Sequence, residues 1–138
     1  MKTVFLIHLF STLFMTGVIW FAQAAHYPLL GRVGEEAFAA YEQENTRRTG
    51  WVVIPVMAVE LATALLLLWR QPEGFLPFCA WLNAGLLATI WVSTFTLQGP
   101  YHQRLTKGYD PMLHRALVKT NWIRTAAWTF RGVLLLSC

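Results

Sequence analysis

Residues 51–69 read WVVIPVMAVELATALLLLW. As a helix rising about 1.5 Å per residue, this run is long enough to cross most of the ~30 Å hydrocarbon core of a bilayer. Glu60 is its single charge, and it falls about 15 Å from the end at Trp51, near the midplane of such a span. Arg131 occupies the corresponding depth in the apolar run that ends the chain. A lone charge at that depth costs at least ~2.5 kcal/mol, so it faces the bundle interior and finds a partner. The two residues are therefore expected to form a buried charge pair, either fixing helix register or forming part of a polar working site.

Working outward, the whole chain has the composition of a membrane protein. Of its 138 residues, 56% are hydrophobic and 13% charged, where a soluble domain carries about 25% charged residues. Four runs suit spans, roughly Thr3–Ala25, Trp51–Trp69, Phe75–Leu97 and Trp122–Cys138, with Trp20, Trp51, Trp69, Trp91 and Trp122 near their ends as interfacial anchors. Met1-Lys2, the apolar stretch and Ala22-Gln23-Ala24 resemble a cleavable secretory signal. The stretch exceeds the ~7–15 residues of such signals, so a retained helix is expected. The expectation is one domain over residues 1–138: an all-α, integral-membrane four-helix bundle, with no repeat or linker.

Four spans put both long polar connections on one side. There Gly31–Arg48, with Val33, Ala37, Phe38 and Tyr41 on one face, reads as an amphipathic surface helix. Pro111–Thr120 reads as a second, and Gly99-Pro100 as a helix break. Arg32, Arg47, Arg48, Arg104, Lys107, Arg115 and Lys119 lie on this side, against Lys2 and Arg70 on the other. The polar connections are therefore expected to be cytoplasmic. The net charge of +4 then reflects topology and attraction to lipid headgroups rather than nucleic-acid binding. Nothing in the spacing of Cys79 and Cys138 assigns them a role.

Each span carries a polar stripe: His8, Thr12, Thr16 and Gln23; Glu60 and Thr63; Asn83, Thr94 and Gln98; Asn121, Arg124, Trp128 and Arg131. Lipid offers these groups no hydrogen bond, so the stripes are expected to face one another. Above them His26, Tyr27, Gln98, Tyr101, His102, His114, Asn121 and Arg124 gather at the mouth of the interior. Histidines there suit proton transfer near neutral pH. Metal or haem ligation is an alternative, but no metal-ligand spacing such as HxxxH, HExxH or CxxC is present.

The strings His26-Tyr27-Pro28-Leu29, Leu97-Gln98-Gly99-Pro100-Tyr101-His102-Gln103-Arg104-Leu105 and Asn121-Trp122-Ile123-Arg124 resemble landmarks of a family of small four-helix membrane proteins. That family includes the fungal anthrone oxygenases, and the likeness extends over most of the chain in layout. It implies cofactor-independent oxygenation of an acidic, hydrophobic aromatic or quinone-like substrate. The residues accommodate it as follows. His26 or His102 removes a proton, while Asn121 and Arg124 hold the oxyanion. Tyr27, Tyr101, Trp122 and Trp128 stack on the ring, and Glu60 with Arg131 forms the floor. The rival readings are a non-enzymatic accessory subunit or lipid- or quinone-binding protein, in a homo-oligomer or larger membrane complex, and a transporter or channel assembled from several copies.

Overall fold

The computed structural model describes residues 1–138, which form helices joined by turns. There are four helical rods: α1, Lys2–Arg32; α2, Glu35–Trp69; α3, Pro77–Leu105; and α4, Pro111–Ser137. Three of them, α1 to α3, are long and apolar enough to cross a membrane, whereas α4 buries Arg124 and Arg131. The rods close into a ring in chain order, with α1 packed on α2 and α4, and α3 packed on α4 and α2. The connections are short, as antiparallel neighbours require. Between α1 and α2 the chain reverses at Gly34, whose φ of 91° disfavours any residue with a Cβ. Asp110 starts α4 by accepting from the N–H groups of Met112 (2.8 Å) and Leu113 (3.1 Å), with Pro111 in the first turn.

The rods outrun the expected spans, and this corrects the two surface helices. α2 has 35 residues, about 52 Å at 1.5 Å per residue. Its segment Glu35–Arg48 continues straight into the apolar run instead of lying flat. Nothing between Arg48 and Trp51 stops a helix: Gly50 costs only about 1 kcal/mol relative to alanine. Phe38, read as facing a membrane surface, is buried with Tyr27, Leu30, Leu105 and Leu117 in a core of its own. Pro111–Thr120 is likewise the first part of α4.

Pro100, read with Gly99 as a helix break, and Pro28, beyond the expected end of the first span, also lie inside rods. Immediately before each, the backbone widens into a π turn, Ala22–His26 before Pro28 and Thr94–Gln98 before Pro100. The N–H of Tyr27 bonds the carbonyl of Ala22, and that of Gly99 bonds Thr94, five residues back in each case. This loosens the helix where the proline ring would otherwise press on the preceding turn. α1 therefore reaches Arg32 rather than ending near Ala25, and α3 reaches Leu105. A Cβ at Gly99 would lie 2.9 Å from the Thr94 carbonyl oxygen. Gly99→Ala is expected to cost about 1–3 kcal/mol, the usual cost of overpacking, read as a lower melting temperature in detergent.

The opposite end is pinned covalently. Cys79 near the start of α3 is bonded to Cys138 at the end of the chain, against Phe75 and Leu135. With 59 residues of separation, Cys79→Ser is expected to lose about 2–4 kcal/mol of stability. Reducing agent should lower the melting point of the parent chain and leave that of the variant unchanged.

The packing sorts residues by polarity in an unusual sense. Phe10, Trp51, Ile54, Phe78, Phe95 and Phe130 face outward, while His8, Thr12, Glu60, Asn83, Asn121 and Arg131 are buried.

Candidate functional site

Two polar networks lie inside the bundle, one deep and one near the end where α1 turns into α2. In the deep one, Arg131 Nη1 donates to Glu60 Oε1 at 2.7 Å, and neither side chain is exposed to any extent (0%/0%). Arg131 Nε donates to Asn83 Oδ1 at 3.0 Å and Nη2 to Thr12 Oγ1 at 3.2 Å. His8 completes it. Thr63 gives its own hydrogen to the Val59 carbonyl, so His8 Nδ1 donates to Thr63 Oγ1 (2.7 Å). Its bare Nε2 then accepts from Asn83 Nδ2 (3.0 Å) and Arg131 Nη2 (3.3 Å). Trp128 Nε1 donates to both Glu60 oxygens at 3.2 Å, tying this network to the floor of the space above it.

That space is a cavity of about 470 Å³ bounded by all four rods, within the ~300–1,000 Å³ usual for small-molecule sites. Met15, Ile19, Val53, Met57 and Trp128 form its lower part, and His26, Tyr27, Asn45, Gln98, His102 and Arg124 its upper part. The π turns explain why residues of α1 and α3 reach it. Each adds a residue to its turn, and His26, Tyr27, Gln98 and His102 stand in or just beyond that widened backbone.

The upper network has one direction. Arg124 Nη2 donates to the Tyr27 hydroxyl at 3.2 Å, and that hydroxyl donates to His102 Nε2 at 3.1 Å. His102 Nδ1 then donates to the Glu42 carboxylate. The other Glu42 oxygen accepts from Asn45 Nδ2 at 3.0 Å, and Asn45 Oδ1 accepts from His26 Nε2 at 2.9 Å. Every shared hydrogen in this chain has one donor and one acceptor, so a neutral His102 with its proton on Nδ1 satisfies all of them. Glu42 has no exposed side-chain surface (0%). Glu44, two residues on, is its contrast: hydrogen bonds from Arg47 and then Arg48 hold its carboxyl down at about 2, out in solvent.

Arg124 is the electrostatic anomaly. It is buried, yet no carboxylate pairs with it, since the buried acids Glu42 and Glu60 are engaged by His102 and Arg131. Its partners are neutral: Asn121 Oδ1 from Nε at 2.9 Å and Nη2 at 2.5 Å, Thr94 Oγ1 at 3.4 Å, and the Tyr27 hydroxyl. A buried guanidinium without a counter-charge is costly.

Of the residues singled out in the sequence, the structure brings His26, Tyr27, His102, Arg124 and Trp128 to the cavity. Asn121 stands behind Arg124, outside the cavity lining, anchored through its own amide to Gln23 Oε1 at 2.9 Å. Tyr101 packs on the core around Phe38. Trp122 points outward, edge-on to Trp20 at 5.5 Å. His114 clamps α4 to α1, donating to the Tyr27 carbonyl at 2.6 Å. Both nitrogens of His102 are taken, so a haem using it as axial ligand would have to break one of those bonds. Glu42 and Asn45 were not anticipated. Compared with protein-family models, curated proteins and solved structures, the chain matches none of them.

Proposed function

We propose that the protein is a multi-pass membrane oxidoreductase that oxygenates a hydrophobic, acidic aromatic substrate without a resident cofactor. The outward-facing apolar side chains favour a bilayer around the bundle, because soluble monomers rarely expose large contiguous apolar surface. Two independent signals favour the site end as cytoplasmic. Its connections are rich in Lys and Arg, and the Cys79–Cys138 disulfide is at the other end, as expected of an oxidising compartment.

The observation that carries the reading is the buried, acid-free Arg124 joined to the Tyr27–His102–Glu42 relay, with Arg124, Tyr27 and His102 on the wall of one cavity and Glu42 behind them. Burial strengthens each of these interactions by excluding solvent. An acidic C–H or O–H proton passes to the Tyr27 oxygen as the Tyr27 proton passes to His102 Nε2. The imidazolium so formed is paired with Glu42, and Arg124 holds the substrate oxyanion. The electron-rich anion then reacts with dioxygen. At a methylene flanked by two rings, one oxygen atom becomes the new carbonyl oxygen. The other leaves as water with the two methylene hydrogens, so four electrons pass from carbon to oxygen and the relay recovers its starting protonation.

The test uses the protein in lipid nanodiscs with anthrone as probe, following anthraquinone absorbance and dioxygen uptake. The expected result is one dioxygen consumed per product at a rate well above empty nanodiscs. Arg124→Gln should lower kcat/KM about 10²–10³-fold, the range for loss of an oxyanion donor. Nanodiscs that oxidise anthrone no faster than the lipid blank overturn the oxygenase reading.

A further inference from the structure

The cavity is longer than a ring and polar at one end only. Along α2 its lining runs from Asn45 to Met57, about 18 Å at 1.5 Å per residue. Asn45 lies beyond Trp51, and Met57 lies well inside the apolar run. Trp51 to Trp69 measures about 27 Å as helix, close to one hydrocarbon thickness. The upper part is therefore level with lipid headgroups and the lower part with lipid tails. The cavity is also open sideways. Ile54 of α2 is 63% exposed and Phe95 of α3 is 68% exposed, yet both line this same cavity. The cavity thus reaches the outer surface of the bundle between α2 and α3, through an opening that runs from headgroup level at Phe95, beside Thr94 and Arg124, down to the edge of the tails at Ile54, three residues inside Trp51.

We infer that the site takes an amphiphile drawn from the bilayer: an acidic phenolic head of the anthrone-enol class held at Arg124 and Tyr27, with a hydrocarbon chain leaving between Ile54 and Phe95. This rests on the proposed function for what happens to the head, and adds the chain and its route. Charge complementarity fixes the orientation. Arg124 lacks an acid and asks for the oxyanion at the top, while the apolar wall below offers a chain no polar partner to strip of water. Gly50 fits the route. It lines the cavity between the polar and apolar parts, and a Cβ there would meet only Ile54 Cδ1, at an ordinary 3.5 Å. A glycine inside a long helix costs stability, and here it keeps the passage wide where a chain would run.

The experiment measures binding separately from turnover, in nanodiscs of one lipid composition, with a plain hydroquinone and with the same ring bearing a ten-carbon chain. Each is titrated against the parent protein, Gly50→Leu and Ile54→Trp, so that partitioning into lipid cancels between proteins. The inference expects the chain-bearing ring to bind the parent at least tenfold more tightly than either variant. The plain ring should bind all three alike, and both variants should melt at or above the parent temperature. A chain-bearing ring that binds all three proteins equally overturns the route, even if both rings are turned over. Chain-dependent binding by a protein that also leaves anthrone unoxidised sustains the inference and removes the oxygenase reading.

Discussion

Arg131→Met is expected to destabilise the bundle by about 3–5 kcal/mol, the cost of breaking a buried ion pair by removing one partner. The variant would leave the Glu60 carboxylate, fully buried, with only the Trp128 N–H as donor. It would also strip Asn83 Oδ1, Thr12 and His8 Nε2 of the guanidinium they now share. Glu60→Leu should cost a similar amount, because it strands the positive charge instead. The double variant Glu60→Leu/Arg131→Met should recover only part of the loss, since it removes both buried charges but leaves the Trp128 N–H and Asn83 Oδ1 without the partners they now have. Reversible unfolding in mixed micelles, run as a double-mutant cycle, measures this directly. Single variants no less stable than the double would mean that the pair contributes nothing beyond volume.

That pair was legible because two charges in long apolar runs at matching depth have few options. The polar stripes were legible for the same reason: His8, Thr12, Gln23, Asn83, Gln98, Asn121 and Arg124 are all buried. What escaped the sequence was Glu42. Standing among Glu35, Glu36 and Glu44 in a segment read as a separate surface helix, it looked like one more solvated acid. The missing premise was continuity. Once Glu35–Trp69 is one helix, Phe38, Glu42, Asn45, Thr49, Val53, Met57 and Glu60 recur at three- and four-residue spacing along a single face. The same premise would have carried α1 past Pro28 and α3 past Pro100. A π turn leaves no composition signal, however, and a proline in sequence argues for a boundary. Tyr101 and Trp122 were drawn into the expected site by proximity along the chain. The direction in which Tyr101 points depends on the added residue in the π turn before it, which the string of letters does not display, whereas Trp122 lies on a regular helix about 100° round from Asn121 and so off the polar face.

Glu42→Gln is expected to lower kcat on the anthrone probe by about 10²–10⁴-fold, the range for loss of general acid–base function, with little change in KM. The substitution keeps the size of the side chain, so the bundle should remain folded, but it removes two things at once. An amide carries no charge to stabilise the imidazolium formed when His102 accepts the Tyr27 proton. It also cannot accept on both sides: His102 Nδ1 and Asn45 Nδ2 both donate to Glu42 in the parent, whereas glutamine turns one of those contacts into donor against donor. The ring of His102 would then be free to present the wrong nitrogen to Tyr27. Glu42 touches no ligand, which is why binding should survive: hydroquinone affinity within about threefold of the parent, alongside the fall in kcat, separates a positioning residue from a folding defect. Tyr27→Phe should lose a comparable factor by removing the hydroxyl that links Arg124 to His102. Combined with Glu42→Gln it should add little more, because groups that act as one relay are not additive. Fully multiplicative losses would instead place Tyr27 and Glu42 in separate steps and break the relay into independent parts.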